Sequence, residues 1–226
     1  DYIIYKTTEG NYITLKDYAE KNENTVYYVT DEKLQSQYIK LFKEQGLEAV
    51  LLNTMIDNHF ISFIEMKEKD IKFKRIDSDI SDVMKQEDKK VGEEESEKIK
   101  KVFEENLNIE GLKISVEPLK SQYLPAMILL SEHSRRMQEM SKMFGGMDAK
   151  NMFPEDKTFV INSNNKLVKS VVNMSGSKEK EEDVKIICEQ IYDMALLSQR
   201  QLDSSAMSKF IERTSAILEK ITLISD

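Results

Sequence analysis

The sequence predicts a mixed α/β fold of the α+β class: a small layered α/β subdomain, then an α+β domain with a short sheet and a closing pair of helices. Three observations carry that prediction. β-rich runs such as "TVYYVT" and "AMILL" alternate with segments of helical apolar spacing. A stretch dense in charge, "DSDISDVMKQEDKKVGEEESEK", parts the chain after Ile76. Two long amphipathic patterns, joined by a short connection, close the sequence. With 226 residues, 40% of them hydrophobic, each part can build a core of its own.

In the first part, residues 1–80, "TLKDYAEKN" has helical spacing and "TVYYVT" reads as a strand. "EKLQSQYIKLFKEQG" places Leu34, Tyr38, Leu41 and Phe42 on one helix face and stops at Gly46. "LEAVLL" reads as a buried strand, "MIDNHFISFIEM" as a helix and "IKFKRI" as a last strand, giving a βαβ-like layered unit. Residues 81–97 form a charged connection, readable as a solvated hinge or as the exposed face of a continuous helix.

The second part, residues 98–226, opens with the helix "EKIKKVFEENL" and two strands, "LKISVEPL" and "AMILL", with Pro125 marking the start of the second. In "TFVINSNNKLVKSVV" Asn162 stands where an N-cap belongs, and Leu167, Val168, Val171 and Val172 supply the buried stripe of the helix that follows. "SGSKEKEED" is a polar break. Val184, Ile187, Cys188, Ile191 and Ala195 then mark one amphipathic helix, and Met207, Phe210, Ile211, Thr214, Ile217, Leu218 and Ile221 mark another. A short connection makes these two an antiparallel hairpin. Its apolar stripes are covered either by the same hairpin of a second chain, as a dimeric four-helix bundle, or by the chain's own sheet.

Composition excludes several function classes. A net charge of −8 and a pI near 5.1 leave no basic stripe for nucleic acid or an anionic membrane. No run reaches the roughly 18 apolar residues of a membrane span. The single cysteine, Cys188, fits a reducing compartment, so a cytoplasmic location is expected. "DYIIYKTTEG" has neither an initiator Met nor a signal pattern, so a soluble piece of a longer protein is expected. The seven glycines form no phosphate-cradling loop. His59 and His133 have no Cys or His at ligand spacing, and Cys188 lies on an apolar stripe where a thiol acts as a small hydrophobe. Neither a catalytic residue nor a metal site is expected.

Five of the twelve methionines fall in "EHSRRMQEMSKMFGGMDAKNMF". On a helix from about Glu132 to Phe144, Met137, Met140, Met143 and Phe144 share one side. Gly145 and Gly146 stop that helix, and Met147 follows in a loop-like stretch with little to cover the stripe. Flexible thioethers repack against many shapes, which favours an exposed binding surface over the alternative of a locally covered helix.

The order of these elements resembles one family. "YYVTDEKLQSQYIKLFKEQGLEAVLLNTMIDNHFISFIE" is similar to the last, small subdomain of the middle domain of the ninety-kilodalton heat-shock protein chaperones. The leading helix of the second part, the strand containing "PAMILL", the segment "RRMQEMSKMF", the element "FVINSNNKLV" and the closing helix pair resemble that family's C-terminal dimerisation domain. No acidic "EEVD"-type tail follows Ile224, which makes the chain more similar to the bacterial, HtpG-type branch. One departure is the run Asn162, Ser163, Asn164 and Asn165, where the family commonly has Asn-Pro followed by an acidic residue and His.

The resemblance implies a homodimer, with Ile187, Ile191, Ala195, Phe210, Thr214, Ile217, Leu218 and Ile221 at the interface. It also implies a surface for non-native client proteins at Met137, Met140, Met143, Phe144 and Met147. Of these, Met140, Met143 and Phe144 match apolar positions of the family's client-contacting element, and Arg136 falls where the bacterial form often has Met. ATP and Mg are expected in an N-terminal domain that this chain lacks, and no cofactor or ATP hydrolysis is expected of the fragment itself. A homodimeric scaffold that binds one defined partner is the alternative function.

Overall fold

The structure, a computed structural model, describes residues 3–54, 56–78, 84–86, 91–131, 134, 157–199 and 202–223. The chain divides into two compact units, Asp1–Met84 with Leu129–Lys157, and Lys85–Ile128 with Thr158–Asp226.

The first unit begins with an antiparallel pair, β1 (Ile4–Lys6) and β2 (Tyr12–Thr14). The sequence does not reveal this pair, because three residues are too few to show alternation. Helix α1 (Leu15–Lys21) follows directly, since the Thr14 hydroxyl accepts the Asp17 N–H at 3.1 Å and donates to the Asp17 carboxylate at 2.6 Å. Glu23 and Asn24, both left-handed with φ of 50° and 60°, turn the chain into β3 (Thr25–Val29). Then come α2 (Ser36–Glu44), β4 (Val50–Leu51), α3 (Asp57–Lys67) and β5 (Lys72–Arg75).

The strands β4, β3 and β5 form a parallel sheet in the order β4-β3-β5, as the βαβ pattern predicts. Its central strand buries Val26, Tyr28 and Val29, and Val26 and Tyr28 pack in a core with residues including Tyr18, Ile61, Ile64 and Phe73. Helix α2 buries Tyr38, Leu41 and Phe42. Leu34 does not join them: it lies before the helix, exposed, in a turn where its N–H is bound by the Asp31 carboxylate at 2.9 Å. At the end of β5, Arg75 grips Asp77 with a buried two-point contact, Nε to Oδ1 at 2.7 Å and Nη2 to Oδ2 at 3.1 Å.

In the second unit, Lys85 bridges antiparallel to Leu119, and the Gln86 N–H donates to the Pro118 carbonyl at 2.8 Å. Helix α4 (Glu93–Leu107) starts earlier than the sequence boundary at 98, with Glu93, Glu94 and Glu95 favoured at its positive end. Strands β6 (Lys113–Glu117), β7 (Ala126–Leu130) and β8 (Lys157–Asn162) form a sheet in the order β6-β8-β7, with β6 parallel to β8. Helix α5 (Lys166–Met174), a 3-10 turn at Lys178–Lys180, α6 (Glu181–Ser198) and α7 (Ser204–Leu223) complete the unit.

Two expectations are corrected here. Asn162 is not the N-cap of α5: it ends β8, fully buried, and Asn165 caps the helix by accepting the Leu167 and Val168 N–H groups at 2.9 and 3.3 Å. Asn162 instead ties down the β6–β7 connection. Its Oδ1 accepts from the Leu119 and Asn164 N–H groups at 3.1 and 3.0 Å, and its Nδ2 donates to the Ser121 and Leu124 carbonyls at 2.6 and 2.8 Å. Leu167 is exposed; with the cap three residues further on, the buried face of α5 is Val168, Val171 and Val172.

Candidate functional site

The closing helices differ in what covers them. On α6, Val184, Cys188, Ile191 and Ala195 recur at helical spacing and join Ile99, Phe103, Phe159, Val168 and Val171 in the core of the second unit. Ile191 and Ala195, expected at a dimer interface, are therefore already buried within their own domain and have almost no surface left to give a partner. Ile187 is only partly buried, and Met194 and Leu197 are exposed.

Helix α7 has no such core face. Among its described side chains none is buried: Met207, Phe210, Thr214 and Ile217 are half-buried, and Ile211, Leu218 and Ile221 are exposed. Its start is fixed by Asp203, whose carboxylate accepts the Ala206 N–H at 2.8 Å. What holds it against α6 is polar. Gln190 Nε2 donates to the Thr214 hydroxyl at 2.8 Å, and that hydroxyl donates to the Phe210 carbonyl at 2.7 Å. Arg213 reaches Glu189 at 3.2 Å and also pairs with Asp193, while Lys220 pairs with Asp183. Pairing 183 with 220 and 193 with 213 makes the hairpin antiparallel, as expected from the short connection. Thr214 serves this intrachain seam; Ile187, Phe210 and Ile217 are partly covered within the chain, and Leu218 and Ile221 are more than half exposed.

The chemistry of the pair is that of a surface. Burial, aided by the neighbouring Glu189 charge, pushes the Cys188 thiol up to about 12, so it stays protonated and inert at neutral pH. Desolvation raises the Asp193 carboxyl above its ordinary value, against the opposing pull of Arg213, and Glu189 adds to the rise. Among the described residues no three His, Cys, Asp or Glu side chains gather as metal ligands would, and no helix is long and apolar enough to cross a membrane. His59 is exposed on α3.

The expected client-binding residues Met137, Met140, Met143, Phe144 and Met147, together with His133, lie outside the described residues. A second apolar surface went unnoticed in the sequence. Along α3, Ile56, Phe63 and Met66 are exposed within about 80° of one another by the 100° helical step, with His59 between them. The opposite side of α3 buries Ile61 and Ile64, and this apolar-all-round pattern, which gives no clear period, is the signal that sequence reading could have used.

Comparison with known proteins gives a consistent picture. The family model described as Hsp90 protein matches residues 1–226. A chaperone protein HtpG of Bacteroides fragilis is 31% identical over 187 residues, covering 76% of this chain and 28% of the relative. That of Bacteroides thetaiotaomicron is 28% identical over 188 residues, with 76% and 28% covered. That of Chlorobium luteolum is 26% identical over 229 residues, with 96% and 36% covered. The chain thus spans about a third of the length of the curated relatives it matches.

Proposed function

Because the chain belongs to the Hsp90 family, we propose that it serves as the C-terminal part of an ATP-dependent molecular chaperone, holding two protomers together and offering apolar surface to client proteins. It would supply no ATP site: ATP and Mg would bind in a domain outside this sequence, and the chain itself would act by assembly. The observation that carries the dimer is the twenty-residue helix α7, which has apolar residues at i, i+3, i+4 and i+7 spacing yet no buried side chain among those described. A helix with that stripe is marginal alone in water and gains most of its stability when the stripe is covered. Two copies of the α6–α7 pair related by a two-fold axis would cover both stripes as a four-helix bundle.

A permanent dimer raises the effective concentration of whatever domains the two chains carry elsewhere, which is how a chaperone clamp could close transiently without losing its partner. Client contact would fall to the Met-rich segment around Met140, Met143 and Phe144, and the exposed stripe Ile56, Phe63 and Met66 on α3 supports the same role. In a bacterial relative's setting the protein would work in the cytoplasm. Molar mass by light scattering over a dilution series tests the dimer: the full chain should be twice the monomer mass and a chain ending before Asp203 should be monomeric. A full-length chain that is monomeric at every concentration overturns the reading. Suppression of aggregation of several unrelated unfolded proteins distinguishes the chaperone from a scaffold, which would act on one partner only.

A further inference from the structure

The seam between α6 and α7 contains a group whose placement is not explained by burial alone. Arg213 projects from α7 and distributes its guanidinium nitrogens over three α6 side chains. Nη1 reaches Glu189 Oε2 at 3.2 Å, Nε reaches Gln190 Oε1 at 3.4 Å, and Nη2 pairs with Asp193. Those three residues span one turn of α6, with the two carboxylates four positions apart, where like charges repel. Asp193 is also largely shielded from water, its side chain 13% exposed, so an unpaired charge there would be costly. Gln190 is held at its other end by Thr214, one residue after Arg213, which locks the same level of both helices.

No α7 side chain among the described residues belongs to the core of the second unit or packs on it. Met207, Phe210 and Ile217 are half-buried, but apolar contact has little directionality, so the polar contacts carry the choice of where α7 lies along α6. The fork geometry of a guanidinium suits that task, because its donors are fixed relative to one another and accept few alternative arrangements. The second contact point, Lys220 with Asp183, lies at the exposed end of the hairpin and is open to water and salt. Arg213 is thus the better-shielded anchor of the two.

We propose that Arg213 is the positioning residue of the dimer surface: its fork on Glu189, Gln190 and Asp193 fixes the register of α7 on α6 and so aligns Ile217, Leu218 and Ile221 for a second copy of the chain. This deepens the dimer reading and rests on it. The fork acts before assembly, within one chain, and supplies no contact to the partner. It also gives the hairpin specificity, since a slip of α7 by one turn would take the guanidinium fork off Glu189, Gln190 and Asp193 and shift the apolar stripe about 5.4 Å along the axis, out of step with its counterpart.

The test uses the 226-residue chain in a Cys188→Ala background, with spin labels at Lys185→Cys and Glu219→Cys, and labelled chains diluted in excess unlabelled ones so that only intrachain distances are read. Arg213→Met keeps the aliphatic stem and removes the fork; Arg213→Lys keeps the charge and loses the geometry. The expected result is a narrow distance distribution in the parent, a broad one in Arg213→Met and an intermediate one in Arg213→Lys. Alongside it, the dimer Kd should rise about tenfold or more in Arg213→Met, the scale of coupling between adjoining sites, with partial recovery in Arg213→Lys. The far-UV circular dichroism of the sheet-bearing core should be retained, because α7 contributes no buried residue to it. An Arg213→Met chain with the parent's narrow distribution overturns the proposal, as does unchanged Kd in a dimeric parent. If the parent is monomeric throughout, the dimer reading fails, and the distance distributions still decide whether Arg213 sets the register.

Discussion

Replacing Leu218 and Ile221 together by Ser should abolish dimerisation at working concentrations while leaving the monomer folded. The two side chains are 57% and 56% exposed in the single chain, so a little over half of each remains to be covered. Full burial of a Leu or Ile is worth about 1.5–3 kcal/mol, which puts the remaining half at about 1 kcal/mol per side chain. Two-fold symmetry doubles the count, so the double substitution removes four such contributions, about 4 kcal/mol per dimer, before any cost of burying the new hydroxyls. At 1.4 kcal/mol per decade, the dissociation constant should rise about a thousandfold. Sedimentation equilibrium over a dilution series measures this directly. Neither residue belongs to the core of the second unit, so the urea midpoint of the monomer should move by less than about 0.5 kcal/mol equivalent. A variant that dimerises with the parent's constant refutes the assignment of this stripe to the interface; one that is monomeric because it is unfolded refutes the claim that α7 stands outside the core.

Asn162→Ala should destabilise the second unit by about 3 kcal/mol, since it orphans backbone groups of Leu119, Ser121, Leu124 and Asn164, while Asn165→Ala should cost about 1 kcal/mol as a lost cap; urea unfolding at constant slope reads both, and the reverse order would restore the cap role to Asn162. The Cys188 thiol ionises at about 9 when unfolded and about 12 when folded, so its contribution to stability is complete below pH 9 and is lost as pH climbs towards 12. Cys188→Ala should therefore flatten the decline of stability around pH 9, where Tyr5, Tyr18 and Tyr192, raised by burial from an ordinary value near 10, still contribute little; an unchanged slope would show that the thiol is accessible. Phe63→Ser with Met66→Ser should weaken suppression of aggregation of an unfolded test protein at least severalfold and leave thermal stability unchanged, because both side chains are exposed; full activity would remove α3 from the client surface.

The elements legible in the sequence are those with a repeating apolar period or a β-rich run set off by polar residues. Helices α2, α4, α5, α6 and α7 have the period, α1 and α3 read as helices, and β3, β4, β5, β6 and the wholly buried β7 stand out as runs. Strands β1 and β2 do not, since three residues with exposed Ile4 and Tyr12 look no different from a loop. Strand β8 has only three apolar residues, Phe159, Val160 and Ile161, and ends on Asn162, which by residue type reads as the start of the next helix. The misplaced cap has a related cause. Asn162, Asn164 and Asn165 are equally good N-caps by residue type, and the difference between them is that β8 carries Asn162 into the sheet, where three backbone groups of the β6–β7 connection and the nearby Asn164 N–H converge on it.

The residues expected at an interface show a deeper limit of periodicity. A helical stripe states that one side avoids water; it does not state what covers it. Ile191 and Ala195 share a stripe with Val184 and Cys188, and the core that α4, α5 and the sheet build in the same unit takes that stripe, whereas none of the described side chains on the equally regular stripe of α7 is buried. The two helices therefore have different sources of order. α6 is fixed by burial and needs nothing beyond its own domain. α7 is fixed to α6 by Arg213, Gln190, Thr214 and Lys220, contacts whose strength depends on direction and charge and only weakly on area. Such an arrangement keeps the apolar side of α7 available, because a helix that satisfied its stripe within its own chain would have none to offer a second one.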